Sequence, residues 1–177
     1  MSYPAGILRS AIRDDDIRMR IGAVSGKRLK DIKRGLVTFH ALELMAVNIY
    51  RYQITERPSE LNRALIAAMC NEMTHLQDFQ VKLFEYGWHP VWFAWAYGIV
   101  GWLFGFGSRL LREKAILKTG VWVETKAVRH YAELLGTIPW DDDTRAIIEK
   151  NQADEYAHLE RWRSFLRQNH QRESFGS

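Results

Sequence analysis

Two Glu-x-x-His units, Glu72–His75 and Glu155–His158, are the groups in this 177-residue chain best suited to chemistry. Three residues advance a helix by about 300°, so the Glu and His of each unit leave from one stripe and reach neighbouring points. Glu43 stands 29 residues before Glu72, and Glu124 stands 31 before Glu155. The chain therefore reads as the same pattern twice: Glu, then Glu-x-x-His. Apolar neighbours turn these positions inward: Leu42, Ala46, Ile49 and Tyr50 around Glu43; Val121, Val123, Ala127 and Val128 around Glu124; Ala67, Ala68 and Met69 before Glu72. A carboxylate in such a core is strongly unfavourable unless paired, and the same stripes carry too few Lys or Arg to neutralise four. Two divalent cations would balance them. Six ligands rich in oxygen, with two imidazoles and no thiolate, suit iron or manganese rather than structural zinc. One Glu from each of two helices and Glu-x-x-His from each of two others is the arrangement of di-metal carboxylate bundles.

Supporting groups follow from the same geometry. Tyr50 and Tyr131 each lie seven residues after a single Glu, a turn of about 700° that returns nearly to the same face. Each phenol could bond near the metals or carry electrons, or else pack in the core with a satisfied hydroxyl. Asp154 or Asn151 could orient His158 or His75, His130 could pair with a carboxylate, and His40 is on the ligand side of its helix. His89 falls in a turn and His170 in the C-terminal stretch. Cys70 is the one cysteine, which excludes an intrachain disulfide framework and a Cys-based zinc cluster, and it reads as a small core residue.

These residues need helices to position them. Arg57-Pro58, Gly87 to Pro90, Gly107-Ser108 and Gly136 to Pro139 punctuate the chain. Between them helical periodicity runs over about Lys27–Thr55, Ser59–Tyr86, Ser108–Leu135 and Asp143–Gln168, and strand signals are weak throughout. Ser59 and Ser108 are suited to N-caps, Asp141 to Asp143 complement the dipole of the last helix, and Gly87 and Gly136 suit helix ends. The expectation is an all-α, ferritin-like four-helix bundle, with a long apolar crossover joining its second and third helices. Its parts are a basic N-terminal segment, 1–26, the bundle, 27–168, and a tail, 169–177.

The crossover is unusual. Seventeen residues from Val91 to Gly107 carry no charge and include Trp92, Trp95 and Trp102. A spanning helix needs about 20 apolar residues, so this run is short for a span. Its tryptophans suit the headgroup boundary, where an apolar ring and a polar N–H are both accommodated. Interfacial insertion is the expectation, with a buried core helix as the alternative. Residues 9–34 hold nine Lys or Arg against four Asp, and the whole chain carries a formal charge of +4. That balance permits an anionic partner. Nucleic acid is not expected, because the basic residues are not interleaved with a stacking surface. The start lacks a secretory pattern, and Asp14 to Asp16 interrupt any presequence. The reading is a protein peripheral to the cytoplasmic face of a bacterial inner membrane.

At these residues the sequence resembles the demethoxyubiquinone hydroxylase family, di-iron monooxygenases of ubiquinone biosynthesis. The resemblance covers about residues 36 to 166. His40-Ala41-Leu42-Glu43 with Ala46 and Ile49-Tyr50 is similar to the family's first-helix motif, and Glu72-Met73-Thr74-His75-Leu76 with Phe79 to its second. Val123-Glu124 with His130-Tyr131 and Asp154-Glu155-Tyr156-Ala157-His158 resemble the third and fourth. Pro90-Val91-Trp92 leads into a run like the family's membrane-facing crossover. The resemblance implies two iron ions held by Glu43, Glu72, His75, Glu124, Glu155 and His158. It also implies O2 as co-substrate and a polyprenyl quinone or quinol as substrate. Leu42, Met45 and Tyr52 stand where the family favours glycine nearby, which would narrow or reshape the substrate channel. The other readings are a ferritin-like di-iron oxidase or peroxidase on another substrate, and a non-catalytic membrane-associated assembly protein. The apolar crossover could also serve a homo-oligomer or a lipid-binding accessory partner.

Overall fold

Local chemistry sets the helix boundaries in the computed structural model, which describes residues 12–90, 92 and 94–175. The helices are α1 (Gly26–Gln53), α2 (Glu60–Glu85), α3 (Ala94–Leu110), α4 (Arg112–Thr137) and α5 (Asp142–Phe175), preceded by a 3-10 turn at Asp14–Asp16. No strand occurs among the described residues. Ser59 caps α2 by accepting the Asn62 N–H at 3.0 Å, and Asp141 does the same for α5 with the Thr144 N–H at 3.0 Å. Gly87 ends α2 with φ +73°, where its N–H reaches the Phe84 carbonyl and the Trp88 N–H reaches that of Leu83.

Three boundaries differ from the sequence expectation. Ser108 is not an N-cap. It lies inside α3, buried, donating to the Gly105 carbonyl and accepting from Gln53 Nε2 at 2.9 Å, and the break comes at Leu111–Arg112 instead. Gly136 does not end its helix: α4 runs on to Thr137, and Ile138 turns extended ahead of Pro139. The tail expected at 169–177 is helical through Phe175, as α5 meets no Gly or Pro before Gly176. Residues 1–11 of the basic segment, Val91 and Phe93 of the crossover, and residues 176–177 lie outside the described residues. Cys70 also departs from expectation, being exposed rather than packed in the core.

The core divides into two apolar layers. One holds Ile32, Leu36, Phe39, Phe79, Leu83, Tyr131, Trp140 and Ile148; the other holds Tyr50, Ala64, Leu65, Ala68, Ile116, Leu117 and Trp162. Glu43 lies between Phe39 and Tyr50 in sequence, Glu72 between Ala68 and Phe79, Glu124 between Leu117 and Tyr131, and Glu155 between Ile148 and Trp162. A polar layer is thus enclosed between apolar ones on all four long helices. The contacts also give direction. Tyr50 meets Glu124 and Glu43 meets Tyr131, so α1 and α4 run antiparallel. His75 meets Asp154 and Asn71 meets His158, so α2 and α5 do likewise.

The crossover helix α3 lies along α1 in the same direction. A Cβ on Gly101 would fall 2.4 Å from the Met45 carbonyl oxygen, and one on Gly105 2.5 Å from that of Ile49. Backbone therefore packs on backbone, and the bulky side chains project outward: Trp95, Ile99, Trp102, Leu103 and Phe106 are exposed, as are Trp92 before the helix and Leu110 at its end. No helix among the described residues is long and apolar enough to cross a membrane.

Opposite charges fasten the N-terminal segment to the bundle. The Arg20 guanidinium bonds Glu85 Oε2 at 2.7 Å and Asp141 Oδ1 at 2.9 Å, and also bonds Asp143. Lys82 reaches Glu85 and Asp143, both at 2.9 Å. Part of the segment's positive charge is thereby spent on carboxylates of α2, α5 and the loop before α5.

Candidate metal centre

The six residues singled out by spacing converge. Glu43 (α1), Glu72 and His75 (α2), Glu124 (α4), Glu155 and His158 (α5) are all buried. They form two quartets, Glu43–Glu72–His75–Glu155 and Glu72–Glu124–Glu155–His158, and within each the four donor atoms lie within 4.8 Å of one another. Glu72 and Glu155 belong to both. Each histidine turns Nδ1 inward, His75 to 3.0 Å from Glu155 Oε1 and His158 to 3.0 Å from Glu72 Oε1. The Nδ1 atoms, both Glu72 oxygens and Glu155 Oε1 are nonetheless buried without a hydrogen-bond partner. Buried polar atoms are nearly always satisfied, so five such orphans around one point fit a ligand set for cations.

Electrostatics agree. No Lys or Arg among the described residues is ion-paired with the four carboxylates. Burial, then the charges of Glu43 and Glu124, push Glu72 well above the usual carboxylate range. Burial and then Glu155 do the same to Glu124. Burial and then Glu72 raise Glu155 to about 7. Burial also disfavours charge on His75 and Glu43, but contacts outweigh it. Asp154 and three cluster carboxylates hold His75 protonated well above its ordinary value, and His75 in turn keeps Glu43 below its own. Burial lowers His158. Within the chain alone, protons are the neutralising charges.

The supporting residues cross over between the two halves. Tyr50 of α1 donates to Glu124 of α4, and Tyr131 of α4 donates to Glu43 of α1 at 2.5 Å. Burial and the neighbouring carboxylates raise both phenols well above their ordinary values, so they stay protonated donors. Tyr50 also accepts the Trp162 indole N–H at 2.9 Å. His75 Nε2 lies 3.2 Å from Asp154, and His158 Nε2 3.1 Å from the Asn71 amide. Asn71 immediately precedes Glu72 as Asp154 precedes Glu155, so aligning the two repeats would have revealed it. Trp162 gave no such signal.

Among the described residues, three nearby polar side chains stand outside the cluster, and of the alternatives Asp154 and Asn151 it is Asp154 that meets an imidazole. Asn151 is buried but meets neither imidazole, being a full turn before Glu155. His130 pairs with no carboxylate among the described residues: its Nδ1 lies 2.8 Å from the Lys126 carbonyl oxygen of its own helix, because it sits about 100° around α4 from Tyr131. His40 is buried, and burial lowers it, but it is not among the converging donors.

An apolar cavity of about 200 Å3 leads to this layer between α1 and α4. Leu42, Met45, Ala46, Trp122 and Ala127 line it, and it reaches Glu43, Tyr131 and Glu155. Trp122 is exposed at 47% and stacks on Phe104 of α3, ring centres 5.3 Å apart, so the cavity wall continues into the apolar face of α3. Leu42 and Met45 line this cavity, whereas Tyr52 packs beneath Gly105 of α3 and is not among its lining residues.

Compared with known proteins, residues 30–172 match the family described as "Ubiquinone biosynthesis protein COQ7". A search of curated proteins finds no match.

Proposed function

The chain belongs to the COQ7 family of ubiquinone biosynthesis, within the ferritin-like superfamily, and on that premise we propose that it is an O2-dependent di-iron hydroxylase. Its substrate would be the ring of a polyprenylated benzoquinone or quinol of the demethoxyubiquinone type, taken up at a membrane surface. The observation that carries this reading is the pair of quartets sharing Glu72 and Glu155, with five donor atoms left unbonded inside the protein. Two iron ions, when bound, would supply the activation of O2 and the redox change. One oxygen atom enters a ring C–H bond and the other leaves as water, with two electrons from a reductant or from the quinol itself.

The chain's own groups have defined tasks. Glu72 and Glu155, common to both quartets, would serve both ions, with Glu43 and His75 completing one ligand set and Glu124 and His158 the other. A histidine that gives its Nδ1 lone pair to a metal carries its proton on Nε2, which Asp154 accepts for His75. The Asn71 amide occupies the corresponding place at His158 Nε2, 3.1 Å away through its Nδ2. Tyr50 and Tyr131 steady Glu124 and Glu43 by donating to them. The cavity admits a ring and little else, since a cavity of about 150 Å3 already holds benzene. A prenyl tail must therefore trail out past Trp122 toward α3. Exposed apolar side chains on that helix are suited to a lipid boundary, where such a substrate resides.

Anaerobic ferrous loading followed by desalting tests the reading. About two irons per chain are expected in the wild type, as in other bundles of this pattern. Glu155→Ala, which removes a shared ligand, should lose both. Turnover of a demethoxyubiquinol in detergent or vesicles should then follow loading. Folded wild-type protein that retains no iron would overturn the proposal.

A further inference from the structure

At the end of α3 opposite Trp92, the chain turns into α4 without a loop, and an open polar cleft of about 890 Å3 lies beside the turn. Arg57 from the α1–α2 connection, Arg109 at the end of α3 and Arg112 at the start of α4 line it. None of the three forms an ion pair among the described residues; Arg109 donates only to the Ile54 carbonyl, at 3.3 Å. Two acids share the walls, Glu56 and Glu113, and Glu113 accepts a hydrogen bond from Asn169 of α5. Positive charge exceeds negative at this spot.

Hydrocarbon lies next to that charge. Leu110 and Leu111, between Arg109 and Arg112 in the chain, are 66% and 74% exposed and continue the apolar face of α3. Arg112 itself holds φ +71°, a backbone conformation suited to glycine and unfavourable by about 1 kcal/mol for a residue with a side chain. The turn would be more stable with glycine, yet it carries a guanidinium. Meanwhile Arg18 and Arg20 of the basic N-terminal segment are engaged with Glu85, Asp141 and Asp143.

We propose that this cleft binds the phosphate of an anionic phospholipid, with the acyl chains lying along Leu110, Leu111 and the outer face of α3. Charge complementarity selects the headgroup, and the adjoining leucines select a lipid over a soluble anion. Cations at the rim of an interfacial helix anchor it in this way. The inference rests on the reading of α3 as a membrane-surface helix and adds to it a headgroup site and a lipid preference.

Vesicle flotation of the full-length protein separates the two. Wild-type protein should bind neutral phosphatidylcholine vesicles through α3, and vesicles containing phosphatidylglycerol more tightly. Arg57→Gln combined with Arg112→Gly should remove the anionic preference, by about fivefold for each arginine, and leave neutral binding unchanged. Arg112→Gly relieves the strained φ, so its thermal midpoint should not fall, and misfolding would not account for the loss. Leu103→Ser with Trp102→Ser should instead weaken binding to both vesicles. An anionic preference that survives in the arginine variant overturns the cleft while leaving α3 as the membrane face. Wild-type protein that binds neither vesicle overturns both readings. Inorganic phosphate that stabilises wild type but not the variant, with vesicle binding equal in the two, reassigns the cleft to a soluble anion and overturns the lipid site.

Discussion

Raising the pH from 5 to 8 should destabilise the metal-free protein markedly, and bound metal should abolish the effect. Glu155 illustrates the size. Its carboxyl titrates near 7 in the folded chain, against an ordinary value of 4.5. The folded state therefore holds a proton that the unfolded state has already released over that interval. Stability from this group is fully present below pH 4.5 and is lost as the pH climbs through about 7. One pKa unit corresponds to about 1.4 kcal/mol, so about 2.5 kcal/mol is lost between pH 5 and 8 from Glu155 alone. Glu72, Glu124 and His75 are raised too and add in the same direction, while His40 and His158 are lowered and offset a part. Asp154, held at about 2, changes stability only at lower pH and leaves the window clear. Urea unfolding at pH 5, 6, 7 and 8 measures the slope. With a urea dependence of about 2 kcal/mol per molar, the Glu155 share alone should lower the midpoint by about 1.2 M between pH 5 and 8. Glu155→Gln, neutral at every pH, should remove the Glu155 share and make the curve shallower. Ferrous or manganous ion should flatten it as well, because the cations replace the protons. A metal-free wild type equally stable at pH 5 and pH 8 would refute the electrostatic reasoning.

Two further outcomes are expected. Asp154→Asn removes the carboxylate behind His75 and should weaken metal binding 10- to 100-fold, read by competition with a chelator, with little change in the metal-free fold. Gly101→Val places a branched side chain where even a Cβ would lie 2.4 Å from the Met45 carbonyl oxygen. It should lower the stability of the α1–α3 contact by about 1 to 3 kcal/mol and expose α3 to limited proteolysis, with metal content retained.

Much of this architecture could be read from the chain because its chemistry is repetitive and helical. Glu43, Glu72, Glu124 and Glu155 are misplaced in apolar stripes unless they meet one another, and helical periodicity says which way they point. Helix ends followed where a side chain made the cap, as at Ser59 and Asp141. They failed at Ser108, since a serine can satisfy its hydroxyl inside a helix as well as at its start, and Gln53, 55 residues away, supplies the partner. Partnerships across the bundle were hardest to foresee. Tyr50 and Tyr131 share a face with the Glu on their own helices, yet each phenol extends across the interface to the other helix's Glu. Arg20 counts as free positive charge in composition, and only the fold brings Glu85 and Asp143 around it.

Asn71 and Asp154 occupy equivalent places in the two repeats, each behind the histidine of the other half. One is neutral and the other anionic. A carboxylate raises the donor strength of its imidazole more than a neutral amide does. The two hairpins thus build an asymmetric frame out of matching parts, with unequal seats for their guests. Behind one imidazole stands a fixed negative charge and behind the other a neutral dipole, so the two ends of the cluster differ in charge before anything is bound. A single atom's difference between two side chains, oxygen for nitrogen, would give the centre a polarity that its four glutamates alone do not have.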